Sequence, residues 1–199
     1  VARTDRQPRQ RLDPDERRAA ILTAAAVEFA RQAYPQVKIS TIAAQAGASD
    51  ALVYRYFAGK DDLYAEVVRR ALRELLERQD AALAALPAGV PVRDRVRAMV
   101  IVHLDHVAEQ PASWALPLNH PSVVDGVRAE ARRDQVEHLR SLLAPNEQLR
   151  HAYALWGWFG LLDAACLHWA GRGCPPDDRW SLIDAALGAL EGALGDWAA

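Results

Sequence analysis

Apolar positions recur at helical spacing along almost the whole chain. Residues 1–13 are polar, contain Pro8 and show no periodicity, which predicts a flexible arm. Asp13-Pro14-Asp15-Glu16 reads as a helix start: Asp13 can cap, Pro14 suits the first helical position, and acids favour the positive helix end. Ile21, Leu22, Ala25, Ala26 and Phe29 then share one face, and Tyr34-Pro35 ends the helix. A short helix is predicted over Ile39 to Ala46, with Gly47 as its C′ residue. Ser49 can cap a third, Asp50 to Phe57, with Asp50 near its positive end. Ala58-Gly59-Lys60 is a turn, followed by a long helix over Asp61 to Leu86 that Pro87-Ala88-Gly89 stops.

The same pattern continues. Val92 to Ala108 is helical, Pro111 to Leu118 is a short Pro-bounded piece, and Ser122 can cap a helix running to Leu143. Asn146 can cap another, reaching Ala170. After the Gly171, Gly173, Pro175, Pro176 break, Asp177 or Asp178 can start a last helix reaching Trp197. No β-hairpin signal and no fixed-period repeat is found. The fold class is all-α, with about nine helices: three short N-terminal ones, then a larger bundle. The expected domains are 1–14, a basic arm; 15–64; and 65–199.

Composition narrows the function classes. With 199 residues and 51% hydrophobic content, the chain can build a sizeable core. Two cysteines, Cys166 and Cys174, make no disulfide framework and no zinc-finger spacing, so a reducing compartment is expected. The polar, Arg-rich start has no apolar signal-peptide core, and Asp163 and His168 interrupt the most apolar stretch. A cytoplasmic protein without membrane contact is expected. The net charge of −2 hides a split. Residues 1–64 carry ten Lys/Arg against eight Asp/Glu, and the rest fourteen against eighteen. Arg3, Arg6, Arg9 and Arg11 against Asp5 suit a polyanion such as DNA, although many solvated tails share that composition.

The most informative segment is 38–60, KISTIAAQAGASDALVYRYFAGK. Two short helices about Gly47-Ala48 fit a helix-turn-helix. Ile39, Ile42, Ala43 and Ala46 supply an inward face, small Ala43 permits close approach, and Gly47 permits positive φ. Val53 and Phe57 would bury the second helix. That leaves Asp50, Ala51, Leu52, Tyr54, Arg55 and Tyr56 toward or beside solvent, where a helix in the major groove reaches base edges. Lys38, Ser40 and Thr41 open the first helix of the pair and join the DNA-binding set. Tyrosine hydroxyls and Lys60 can hold phosphates, which fix register without reading sequence. The same Ala-rich pair with a Gly turn also occurs in plain bundles.

These residues resemble the TetR family of transcriptional regulators. The carriers are Ile21-Leu22-x-Ala-Ala-x-x-x-Phe29-Ala30, Ile42-Ala43-x-x-Ala46-Gly47-x-Ser49 and Val53-Tyr54-x-Tyr56-Phe57-x-x-Lys60-x-x-Leu63. The resemblance covers residues 15–68 and implies a homodimer that binds operator DNA through an N-terminal three-helix domain. It also implies a C-terminal helical domain that binds a small effector and carries the dimer interface. By resemblance, Tyr54 and Tyr56 contact phosphate or bases, Lys60 holds phosphate and Ser49 caps the recognition helix. Arg55, Leu52 and Ala51 lie where the family varies to select sequence. The chain departs from the pattern at Ala33, at Val37-Lys38 in place of a Thr cap, and at Asp50 and Ala51. Asp50 would repel phosphate but can accept from a cytosine amine; capping or solvent is the plainer role.

Residues 65–199 hold all six histidines and all six tryptophans but no comparably specific motif. Leu155, Phe159, Leu162 and Cys166 form one stripe of the 147–170 helix, and Trp158, Leu161, Ala165 and Trp169 a neighbouring one. Such a helix must be buried on two sides. The resemblance makes it and the last helix the dimer bundle. Candidate pocket residues are Met99, His103, His106, Trp114, Leu118, His138, Trp156, Phe159 and Asp163, with Asp105, Asn119 and His168 beside them. A mostly apolar pocket suits an aromatic or lipid-like effector, while aromatics at helical spacing equally make plain core. His103 and His106 lack a third ligand at fixed spacing, so no metal is expected, nor any cofactor. Cys166 and His168 point to different helix faces, and no phosphate loop or nucleophile elbow appears, so no enzyme is expected. The function expected is a repressor released from its operator by a small apolar or aromatic effector. Two alternatives stand beside it: a regulator of the same fold without an effector, and a helical carrier or enzyme that uses the C-terminal cavity.

Overall fold

Asp13 and Glu16 start the first helix by capping each other. The Asp13 carboxylate accepts from the Glu16 amide at 2.8 Å, and the Glu16 carboxylate accepts from the Asp13 amide at 3.0 Å. This capping box satisfies two donors that an open helix end would leave unpaired. The computed structural model describes residues 13–109, 111, 114, 121–143 and 149–195, with backbone alone at 121–123. The arm residues Arg3, Arg6, Arg9 and Arg11 lie outside it, as do Leu118, Asn119, Asn146 and Trp197.

The described residues contain eight α-helices and no strand. They are α1 (Pro14–Arg31), α2 (Ile39–Gln45), α3 (Asp50–Tyr56), α4 (Lys60–Ala84), α5 (Val92–Glu109), α6 (Pro121–Leu143), α7 (Leu149–Gly171) and α8 (Arg179–Leu194). Short 3-10 turns at Tyr34–Gln36 and Pro176–Asp178 precede α2 and α8. Of the predicted 111–118 piece, Pro111 and Trp114 are helical and the rest lies outside the description.

Several boundaries differ from expectation. The first helix ends at Arg31, three residues early, because the chain tightens into the 3-10 turn before Val37. Ser122 sits inside α6 rather than capping it. Asp178 precedes α8 without capping it: its carboxylate pairs with Arg172 at 2.6 Å. The last helix stops at Leu194, where Gly195 takes φ +100°.

The chain divides into two compact units, Val1–Tyr64 and Ala65–Ala199. In the first, Ile21, Ala25 and Phe29 of α1 pack with Ile42, Ala43, Val53, Phe57, Leu63 and Tyr64, all buried. Each large side chain withdrawn this way contributes about 1.5–3 kcal/mol. Phe29, Tyr34 and Tyr64 form an aromatic trio with centroids 4.8 to 5.8 Å apart. Glu28, buried on α1, accepts from Gln32 at 2.9 Å and from Gln45 of α2, tying the two helices together.

In the second unit, α5, α6, α7 and α8 share one apolar cluster that includes Val96, Leu104, Leu139, Leu155, Leu162 and Leu187. Its polar ties are specific. The Trp158 indole donates to the Ala186 carbonyl at 2.7 Å, joining α7 to α8. Arg150 and His151 donate to the last carbonyls of α8, at Gly192, Ala193 and Leu194. These satisfy acceptors that every helix end leaves open.

Candidate nucleic-acid interface and effector cluster

The turn between α2 and α3 is built by backbone bonding. Gly47 takes φ +60°, a conformation that glycine adopts without a Cβ penalty. The Ala48 amide then reaches the Ala43 carbonyl at 2.8 Å, and the Gly47 amide the Ala44 carbonyl at 3.2 Å, which is a Schellman close. Arg17 of α1 donates to the Ala46 and Gly47 carbonyls, both at 3.4 Å, holding the turn against α1. Ser49 caps α3, its hydroxyl accepting from the Leu52 amide at 3.2 Å.

With Val53 and Phe57 anchored, the opposite side of α3 is open. Asp50, Ala51, Tyr54 and Arg55 are exposed, and Leu52 and Tyr56 half-buried. Lys38, Ser40 and Thr41 are exposed at the start of α2, and Ser49 lies at the surface between the helices. Tyr54 stands 56% exposed on this face. Lys60 is placed differently. Its ammonium donates to the carbonyls of Tyr34 at 3.0 Å, Val37 at 3.3 Å and Pro35 at 3.5 Å, and lies 4.5 Å from the Tyr34 ring centre. Lys38, where a Thr cap would be usual, makes no side-chain capping bond to α2.

The second unit holds a buried polar cluster. Asp163 of α7 pairs with Arg132 of α6, whose guanidinium carbon stands 4.8 Å above the Phe159 ring. His103 of α5 is 3% exposed and meets Trp114 edge-on, centroids 6.1 Å apart. Among the described residues, neither ring nitrogen of His103 has a hydrogen-bond partner, and neither does Nη1 of Arg132. Burial, then the positive charges of His106 and Arg132, hold the His103 imidazole down at about 3, so it is neutral at pH 7. Burial pushes Asp163 up against the opposing pull of Arg132.

A family model for bacterial regulatory proteins, tetR family, matches residues 21–67. The HTH-type transcriptional regulator BetI of Rhizobium meliloti is 30% identical over 179 residues, covering 88% of this chain and 75% of its own length. The chain belongs to the TetR family. A TetR-family regulator of Streptomyces coelicolor superposes with a TM-score of 0.73 at 23% identity, over 92% of this chain and 80% of that one. FadR of Bacillus subtilis, solved in complex with stearoyl-CoA, does so with a TM-score of 0.68 at 18% identity, over 88% and 97%. Members of the family are DNA-binding transcriptional regulators and not enzymes, and so is this chain. They bind operator DNA and small effectors and act as dimers.

Within that TetR frame the pocket candidates scatter. His103, Trp114, Phe159 and Asp163 belong to the cluster just described. His106 faces α4 instead, where burial and the Arg78 charge lower its pKa. His138 sets Nδ1 3.5 Å from Asp80 of α4. Met99 is core, its carbonyl accepting from buried Gln79 at 3.2 Å. Trp156 is a correction: it is 46% exposed, because its position on α7 turns away from the Leu155–Phe159–Leu162 stripe. Leu161, assigned to the Trp158–Trp169 stripe, is likewise 41% exposed. Asp105 pairs with Arg179 at 2.6 Å, and His168 is exposed. Arg132 was missed, since a charged helix reads as a solvated face. The available signal was spacing: Arg132 stands four and seven residues before Val136 and Leu139, both buried. Among the described residues no group of three or more His, Cys, Asp or Glu could hold a metal. None of their helices is long and apolar enough to cross a membrane.

Proposed function

We propose that this regulator is a homodimeric, cytoplasmic repressor that sets α3 in the major groove and leaves DNA when an effector enters its second unit. The observation that carries the reading is the face shared by α2 and α3. Lys38, Ser40, Thr41, Ser49, Asp50, Ala51, Tyr54 and Arg55 are exposed together, while Ile42, Val53 and Phe57 lock the helices behind them. Arg55 and Leu52 are suited to base edges, and Tyr54, Tyr56, Ser40, Thr41 and Lys38 to phosphates. Lys60 serves the same interface by holding the 34–37 turn from which α2 starts.

An outward apolar face supports the dimer. Tyr153, Trp156, Leu161 and Leu167 of α7 and Trp180 of α8 are all exposed, beside Gly157, Gly160, Gly188 and Gly192. Nothing lies within 4 Å of a Cβ built on any of these glycines, so a second copy can approach closely there. A two-fold dimer places two recognition helices on half-sites about 34–36 Å apart, or a multiple of that. The stearoyl-CoA bound by FadR, a protein of the same fold, supports an effector with an apolar body. Coupling is reciprocal: whatever factor the effector takes from DNA affinity, DNA takes from effector affinity.

Selection of genomic fragments by the purified chain tests this, with a Tyr54→Ala/Arg55→Ala variant alongside. Enrichment of a two-fold-symmetric site that the variant loses is expected. Equal enrichment by both proteins would remove α3 from the interface.

A further inference from the structure

We infer that His103, Arg132 and Trp114 form the head-group site of the effector, and that this head is uncharged and carries a hydrogen-bond acceptor. This rests on the effector reading above and names the chemistry of its ligand. Two observations carry it. His103 is only 3% exposed, yet both of its ring nitrogens lack partners among the described residues. Nη1 of Arg132 is equally enclosed and equally unpartnered, while its other terminal nitrogen, Nη2, bonds Asp163. Buried polar groups are nearly always satisfied, so orphans on two different helices mark a place where something else bonds.

The donor and acceptor inventory defines the head. Arg132 Nη1 can only donate, and a neutral imidazole offers one donor and one acceptor. A carbonyl or hydroxyl oxygen can accept from Arg132 Nη1 and from one imidazole N–H; the second ring nitrogen points away around the ring and is left for another group of the ligand. Charge weighs against the alternatives. Arg132 is already paired with Asp163, so an anion must draw a proton onto His103 against its lowered pKa, and a cation would enter as an uncompensated buried charge. The body of the ligand then lies against Trp114, which meets the His103 ring edge-on.

Four probes with one phenyl body separate the head groups: acetophenone, ethylbenzene, benzoate and phenyltrimethylammonium. Binding to the full chain is read by calorimetry, and release of a selected operator fragment by fluorescence anisotropy. Acetophenone should bind about ten-fold tighter than ethylbenzene, with both ions weaker still. His103→Phe, which keeps the shape of the ring, should narrow the acetophenone preference to about two-fold. Arg132→Lys, which keeps the charge for Asp163 but loses the forked donor, should narrow it too. Equal binding of acetophenone and ethylbenzene, tighter binding of either ion, or an undiminished preference in both variants would overturn the assignment. Acetophenone preference without operator release would support the head-group site and overturn the effector reading. Operator release by benzoate alone would keep the effector reading and overturn the head group.

Discussion

Lys60 donates to the carbonyl of Tyr34 at 3.0 Å while its ammonium stands 4.5 Å from the centre of the same residue's ring. One cation thus fastens both the backbone and the side chain of the turn that leads into α2. Its other contacts, to Pro35 and Val37, close the same loop.

Lys60→Ala should therefore act first on stability. The loss of charge-assisted bonds and the ring contact should cost about 1–2 kcal/mol in a half-exposed setting. Hydrogen exchange should quicken through Val37 to Gln45. DNA affinity should fall alike for every sequence, with little change in its salt dependence. A salt slope smaller by about one, with exchange unaltered, would instead put the ammonium on a phosphate.

Lys38 should give a change of opposite sign. It occupies the N-cap of α2 at φ −109° and ψ 134° and makes no side-chain bond there. Those angles suit a serine cap, so Lys38→Ser should stabilise the chain by about 0.5–1 kcal/mol in thermal unfolding. The same variant removes a cation from the exposed face. DNA binding should weaken, and its salt slope should drop by about one.

Acid should test His103. Its folded value of about 3 lies below its ordinary 6.5, so the unfolded chain takes the proton first. The stability it contributes is complete above pH 6.5 and is lost as pH falls toward 3. From this group the loss by pH 5 is on the order of 2 kcal/mol. His106 is lowered as well and adds loss of the same sign, whereas Asp163 is raised and favours the folded state at low pH. The difference between the wild type and His103→Phe isolates His103. Urea unfolding followed by tryptophan fluorescence should show the flatter pH dependence in the variant.

Leu161→Glu should separate the dimer without unfolding the chain. Leu161 is 41% exposed and faces away from the Phe159–Leu162 core. A carboxylate there is solvated in the monomer and buried unpaired in the dimer. Sedimentation should report half the wild-type mass, with helical content unchanged. A variant that still sediments as a dimer would move the interface elsewhere.

The legible parts of the chain were those with local causes. The Asp13 cap, the Gly47 close, the Ser49 cap and the buried positions Ile42, Val53 and Phe57 each depend on residues a few places away, and each stands as expected. Boundaries failed where a competing contact won, as when Asp178 took Arg172 instead of capping α8. Among site residues, the exposed set on α2 and α3 follows from spacing. Arg132 does not, because hydropathy cannot tell a solvated arginine from one held by an aspartate on another helix.

The sequence by itself determined the helices, the helix-turn-helix and the face it leaves open, since caps, turns and helical periodicity act within about one or two turns. It also determined that α7 is apolar nearly all the way round. Only the tertiary structure decided which side of α7 joins its own core and which side turns outward with Trp156 and Leu161. Only it gathered His103, Trp114, Arg132 and Asp163 from separate segments, and set Lys60 on carbonyls more than twenty residues earlier. Such meetings depend on the packing of whole helices, and no local spacing encodes them.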